Sequence, residues 1–239
     1  MSVFSRLKAL FRQPVSPEHA SIYHPDAQQF RIRHAAYLAQ KAALIAQEPK
    51  SLAEHYGDFH TFLYRPDFDE FVRKKFLSAW EPDNPHLQFL YHNHWSNKHP
   101  FNFPGPFYTG ESDTCGTGIC QAPDNVALDE YGCEFVFRQP LDYPQFLRVL
   151  DAAAVEVFDS YSANGNEHWT CTACKGWWSN RRELIVALSQ PDVQRANNGQ
   201  AQAYLDYLAG AAETDLRRYC YFLENGQYPA AKNVSLPPL

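Results

Sequence analysis

The sequence lacks the features that most directly betray a chain's task. No apolar run reaches the roughly 18 residues that span a bilayer, and the N-terminus has neither the apolar stretch nor the small-residue cleavage site of a secretory signal. A cytoplasmic protein is expected. Positive charge is in deficit, with 21 Lys and Arg against 27 Asp and Glu and a net charge of −6 at pH 7. That balance argues against tracking nucleic-acid phosphates and favours basic or neutral partners. Cysteine is sparse, six in 239 residues, far below the density of a disulfide scaffold, so the cysteines are read first as thiols or metal ligands. There is no internal repeat, low-complexity tract or long flexible linker, and residues 1–239 read as one domain. Methionine occurs once, and the apolar mass lies instead in 17 Phe, 14 Tyr and 5 Trp. Such large rigid side chains build a core or a recognition surface.

The pattern along the chain divides it into an N-terminal arm (1–25), a helical part (26–81), a β- and loop-rich part (82–140), a second helical part (141–228) and a tail (229–239). Phe4, Leu7, Leu10 and Phe11 with Arg6, Lys8 and Arg12 form a short basic amphipathic segment, either a terminal helix docked on the core or a surface anchor. Asp26 stands as an N-cap before an Ala-rich run to Gln47, Ser51 and Glu54 match a capping box before Gly57, and Asp67 precedes Phe68, Phe71, Val72 and Phe76 at helical spacing. Beyond Pro82, Val126–Leu128 and Glu134–Phe137 flank an Asp129-Glu130-Tyr131-Gly132 turn and predict a β-hairpin. Helical periodicity returns at Asp142, with Phe146, Leu147, Leu150, Ala154 and Phe158 on one stripe, then at 180–188, 192–208 and 214–222. The expected fold class is α+β, a small central antiparallel sheet or hairpin covered by helices from both ends.

Several residues could carry chemistry. Cys171 and Cys174 form a C-x-x-C, a spacing shared by redox dithiols and by helix-start cysteines without a redox task. With Cys115 and Cys120 they could complete a four-thiolate zinc site, although 50 residues separate the two pairs, and the iron-sulfur spacing C-x4-C-x2-C stops short because Ala122 and Pro123 follow Cys120. His92 and His94 would face one way on a strand, as transition-metal ligands or as hydrogen-bonded structural histidines. Cys115, His168 and Asp113 can be drawn as nucleophile, base and orienter. Gly116 and Gly118 read as a tight turn or an anion nest. Glu111/Asp113 and Asp129/Glu130 are carboxylate pairs in turns, and Trp169, Trp177 and Trp178 form either core or a binding platform.

The segments Gly105-Pro106-Phe107-Tyr108, Asp113-Thr114-Cys115-Gly116-Thr117-Gly118, Ala122-Pro123, Phe137-Arg138-Gln139-Pro140 and His168-Trp169-Thr170 together resemble an uncharacterised bacterial protein family, some of whose members are loosely labelled ferredoxin. The resemblance spans residues 100 to 178. Its pattern carries Cys115 but not the full set of Cys120, Cys133, Cys171 and Cys174, and a cluster needs four ligands, so the resemblance implies no activity.

Two functional readings follow. One is an interaction protein of immunity type that binds and neutralises a partner bacterial toxin, an acidic surface with aromatic anchors suiting a basic face. Its binding residues would be Tyr108, Asp113, Cys115, Arg138, His168 and Trp169. The other is a metal- or thiol-dependent enzyme centred on Cys115 with His94 or His168, with zinc or iron held among Cys115, Cys120, Cys171, Cys174, His92 and His94.

Overall fold

The computed structural model describes residues 36, 39, 49–80, 89–197, 199–229 and 234–239. The amphipathic segment 1–12 and most of the predicted helix 26–47 lie outside the described residues; Ala36 and Ala39 are helical. Pro49 opens α1 (Pro49–Tyr56), which stops at Gly57 in a left-handed conformation. Ser51 therefore lies inside α1 rather than at its cap. A helix not expected from the pattern follows, α2 (Phe59–Leu63), because the Asp58 side chain accepts a hydrogen bond from the Thr61 N–H at 2.9 Å. Next, α3 (Phe68–Phe71) runs through a π-helical turn (Val72–Phe76) into α4 (Leu77–Trp80). Asp67 precedes α3, but its carboxylate binds the Arg65 guanidinium at 2.6 Å instead of capping the helix.

The middle of the chain supplies β1 (Tyr108–Thr109), α5 (Thr117–Gln121), β2 (Val126–Leu128), β3 (Glu134–Val136), α6 (Tyr143–Val155) and β4 (Tyr161–Ser162). The strands pair as two antiparallel two-stranded sheets. In the predicted hairpin Val126 faces Val136, Ala127 faces Phe135 and Leu128 faces Glu134, while β1 pairs with β4. Asn102, almost wholly buried, joins β1 to β3: its Oδ1 accepts from the Thr109 and Val136 N–H groups at 3.1 and 2.9 Å, and its Nδ2 donates to the carbonyls of His99 and Thr109.

The last third forms α7 (Gly165–His168), α8 (Cys171–Ser179), α9 (Arg181–Leu188), α10 (Pro191–Ala196), α11 (Gln200–Ala209) and α12 (Ala212–Asn225). The single helix expected over 192–208 is two, because Gly199 takes a positive φ and the Asn197 side chain, while still donating to the Val193 carbonyl, binds both backbone groups of Leu128. The tail is irregular, and Arg217 of α12 holds it by donating to the carbonyls of Leu236 and Pro237.

Strand alternation explains the layering. Val126 and Val136 face a core built with α1 to α6, whereas Ala127, Phe135 and Phe137 face a second core built with α8, α9, α11 and α12. The hairpin is thus buried on both faces, with helices from both ends of the chain covering it, an α+β arrangement. Among the described residues no helix is long and apolar enough to cross a membrane. The stripe expected on α6 is shorter than its pattern: Ala152 and Ala153 are buried in place of Ala154, and Phe158 lies beyond the helix, 64% exposed.

Candidate functional site

The Asp113–Gly118 segment lies against buried carboxylates. Glu134 points from β3 toward α5, accepts from the Gly118 N–H at 2.6 Å and takes the Tyr161 hydroxyl hydrogen bond at 2.7 Å. A Cβ at Gly118 would collide with the Glu134 carboxylate and the Tyr161 hydroxyl, so glycine is required for this approach, not for a nest. Burial raises the Glu134 pKa against the opposing hydrogen bonds. Glu156, also buried, accepts from the backbone N–H groups of Asp113 (2.9 Å), Phe158 (3.1 Å) and Ser160 (2.7 Å). Asp113 in turn accepts from the N–H groups of Cys115 (2.7 Å) and Val157 (3.2 Å). Asp113 and Glu156 are therefore employed as backbone acceptors that fix two chain segments to each other.

That network defines a surface. Ser112 Oγ accepts from the Glu134 N–H, the Cys133 thiol lies 3.9 Å from the Ser112 carbonyl, and Gly132 of the hairpin tip abuts Thr114. Segment 111–115 thus sits between the hairpin tip and the loop 156–160. The loop carries Val157 and Phe158, 70% and 64% exposed, and the tip carries Tyr131, 74% exposed. Asp159 holds a left-handed φ of 51°, and its carbonyl meets His94 Nε2 at 2.9 Å. Two apolar side chains are therefore presented to solvent on a backbone tied at five points. The tip is equally well held: Asp129 Oδ1 accepts from the Tyr131 and Cys133 N–H groups and Oδ2 meets His99 Nε2 at 3.1 Å. Burial opposes ionisation of Asp129, but those hydrogen bonds outweigh it and lower its pKa.

A second group lies around Trp95. The Tyr108 hydroxyl donates to Asn164 Oδ1 at 2.6 Å, and His168 Nε2 meets the side-chain amides of Asn93 (3.2 Å) and Asn164 (3.3 Å). The His168 ring stacks on Trp95, whose indole meets Trp169 edge to face. Burial pushes Tyr108 up to about 12, so it serves as a neutral donor. Trp95 and Trp169 continue into a cleft of about 410 Å³ lined also by Lys98, Phe101, Trp177 and Arg181.

The residues singled out from sequence therefore separate. Tyr108, His168 and Trp169 share one neighbourhood; Asp113 and Cys115 belong to the carboxylate network; Arg138 packs its guanidinium 4.8 Å from the Tyr207 ring centroid. His168 and His94 are engaged by amides and a carbonyl, so the drawing of Cys115 with either histidine is not realised in their hydrogen bonds. Cys115 is exposed, and the negative Asp113 beside it raises its thiol pKa, opposite to what a nucleophile needs. His92 and His94 lie in irregular chain before a 3₁₀ turn, not on a strand.

The proposed four-thiolate set does not assemble either. Helix α5, which follows Cys115 and contains Cys120, packs with Ile119 and the adjoining Ala122 into the first core, whereas Cys171 and Cys174 turn from α8 into the second. Their thiol partner is Cys220 of α12, whose Sγ lies 4.0 Å from the Cys171 carbonyl. Hydrogen bonds from Cys174 and then Cys171 lower Cys220 to about 7, while burial and Glu224 push Cys171 up to about 12. Among the described residues no three or more His, Cys, Asp or Glu side chains are arranged to hold a metal ion.

Glu134, Glu156, Trp95, Lys98 and exposed Phe158 were not among the residues singled out. Glu134 had one signal, an acid inside an otherwise apolar strand. Compared with models of known families, with characterised proteins and with solved structures, the chain gives no significant match to any.

Proposed function

We propose that this is an interaction protein of the immunity type, which binds a basic bacterial toxin and neutralises it by covering its working face. The observation that carries the reading is the pair Val157 and Phe158, exposed side by side on a loop fixed by Asp113, Glu156 and His94. Large apolar side chains on a preordered backbone give up little entropy on binding and make effective anchors. The segments that form the loop and the hairpin tip contain no Lys or Arg, and Glu111 and Glu130 are exposed on them. Residues 99–137 contain six Asp and Glu and no Lys or Arg, and residues 149–174 contain four and none. A partner with a basic rim around an apolar recess fits that face, with charge accelerating encounter and the anchors slowing release.

The test is co-expression with genes that arrest growth, scored for rescue by this chain, followed by capture of the rescued toxin on immobilised protein. The native chain and a Lys98→Gln control should rescue growth and retain the toxin, whereas Phe158→Asp should do neither. Equal rescue and retention by Phe158→Asp would sink the reading, as would repeated failure to find any toxin that is neutralised.

A further inference from the structure

The Trp95 cleft is not used by that docking face, and its walls specify a different kind of ligand. Trp95 and Trp169 stand perpendicular with ring centroids 5.1 Å apart, Trp177 is fixed in the lining by donating its Nε1–H to the Pro100 carbonyl at 3.2 Å, and Phe101 and Leu184 add to the apolar walls. A volume of about 410 Å³ lies within the range of small-molecule sites and admits a body of one or two fused rings. Into the corner between the two perpendicular indoles projects Lys98, its Nζ 4.3 Å from the Trp95 centroid and 5.5 Å from that of Trp169. Lys98 has no carboxylate partner among the described residues. Arg181, also in the lining, covers Trp178 at 4.2 Å and donates to the Trp178 carbonyl at 2.8 Å. Glu183 is the one acid in the lining, exposed at the rim, so the charged lining carries one net positive charge.

The Lys98 ammonium is held by ring faces alone. An ammonium seated on two indoles is partly desolvated and attracts an anion more strongly than it would in open water. The lining thus combines flat apolar walls with a net charge of +1, Lys98 lying on the indole faces of Trp95 and Trp169 and Arg181 held over Trp178. We infer that the cleft is a binding site for a small planar aromatic molecule bearing one anionic group, with the rings against the indole-lined walls and the anion on Lys98. This function is independent of the toxin-binding reading, since none of its residues lies on loop 156–160 or the hairpin tip.

The probe is indole-3-acetate, compared with neutral indole-3-acetamide of the same shape by isothermal titration calorimetry on the full chain. The acid should bind at least tenfold more tightly than the amide. Lys98→Gln should reduce that preference to within about twofold while leaving the weaker ring contribution. Ala173→Phe, which adds bulk to the cleft from an exposed position of α8 and leaves Lys98 in the chain, should abolish binding of both. Far-ultraviolet circular dichroism and melting curves for both variants establish that they are folded. No binding of either compound at millimolar concentration, a threefold or smaller preference for the acid in the native chain, or a preference retained in Lys98→Gln would overturn the inference.

Discussion

Glu134 shows how one side chain can be both costly and necessary. It is buried in a strand, and desolvation holds its pKa above the ordinary carboxylate range even though Gly118 and Tyr161 donate to it. The native state therefore holds a proton that the unfolded chain releases from about pH 4.3 upward, and stability falls as pH rises from there through the raised native value. Glu134→Gln removes this dependence. In urea melts from pH 4 to 8, the stability of the native chain relative to the variant should decline with rising pH and then level off; parallel profiles would show that Glu134 is not held in its protonated form. Cys115 offers a second residue-scale check. Because Asp113 raises its pKa, its alkylation by iodoacetamide should reach half its maximal rate above the ordinary thiol pKa of about 8.5. Rapid labelling at pH 7 would instead mark an activated thiol and revive the thiol-enzyme reading.

Elements here are joined by amide side chains doing backbone work. Asn197, wholly buried, accepts from the Leu128 N–H at 2.6 Å and donates to the Leu128 carbonyl at 2.7 Å, so it pairs with the edge of β2 as a neighbouring strand would. Asn197→Leu leaves two partly buried backbone groups of Leu128 without these partners, at about 1–3 kcal/mol each, and should lower stability by about 3 kcal/mol in chemical denaturation. A change under about 1 kcal/mol would mean that water replaces the amide. The same residue explains which parts of the fold were legible. The β2–β3 hairpin could be read because its turn and its apolar strands are local signals, and the Asp142 cap of α6 because cap and helix adjoin in sequence. Strands β1 and β4 could not, being two residues each and defined by partners 53 or so positions away. The break at Asn197 depends on Leu128, 69 residues distant. Phe158 has the right periodicity for the α6 core stripe, but α6 ends at Val155 and the next residue, Glu156, turns inward to collect three N–H groups. Local pattern does not record where a buried carboxylate ends a helix. The candidate surface was accordingly readable only as residue types, aromatic and acidic, and not as a place.

At the scale of the whole molecule, charge and anchor should control different steps of binding. The excess of six negative charges is concentrated where Lys and Arg are missing from long stretches, so the field around the hairpin tip and loop 156–160 is acidic over a distance comparable with the Debye length of about 8 Å in physiological salt. Glu111 and Glu130 are exposed on this face and contribute to the approach of a basic partner. Neutralising both, by Glu111→Gln with Glu130→Gln, should slow association severalfold at low ionic strength, and the difference from the native chain should vanish near 0.5 M salt. Phe158→Ala removes an apolar anchor and no charge. It should leave the association rate within about twofold and speed dissociation about tenfold or more at every salt concentration. Stopped-flow or surface-resonance kinetics with the neutralised toxin separate the two effects. Should the Glu variants alter only dissociation, or Phe158→Ala leave dissociation unchanged, the partner sits elsewhere on the molecule. The Glu156-fastened loop would then be a structural closure of α6 rather than its docking edge.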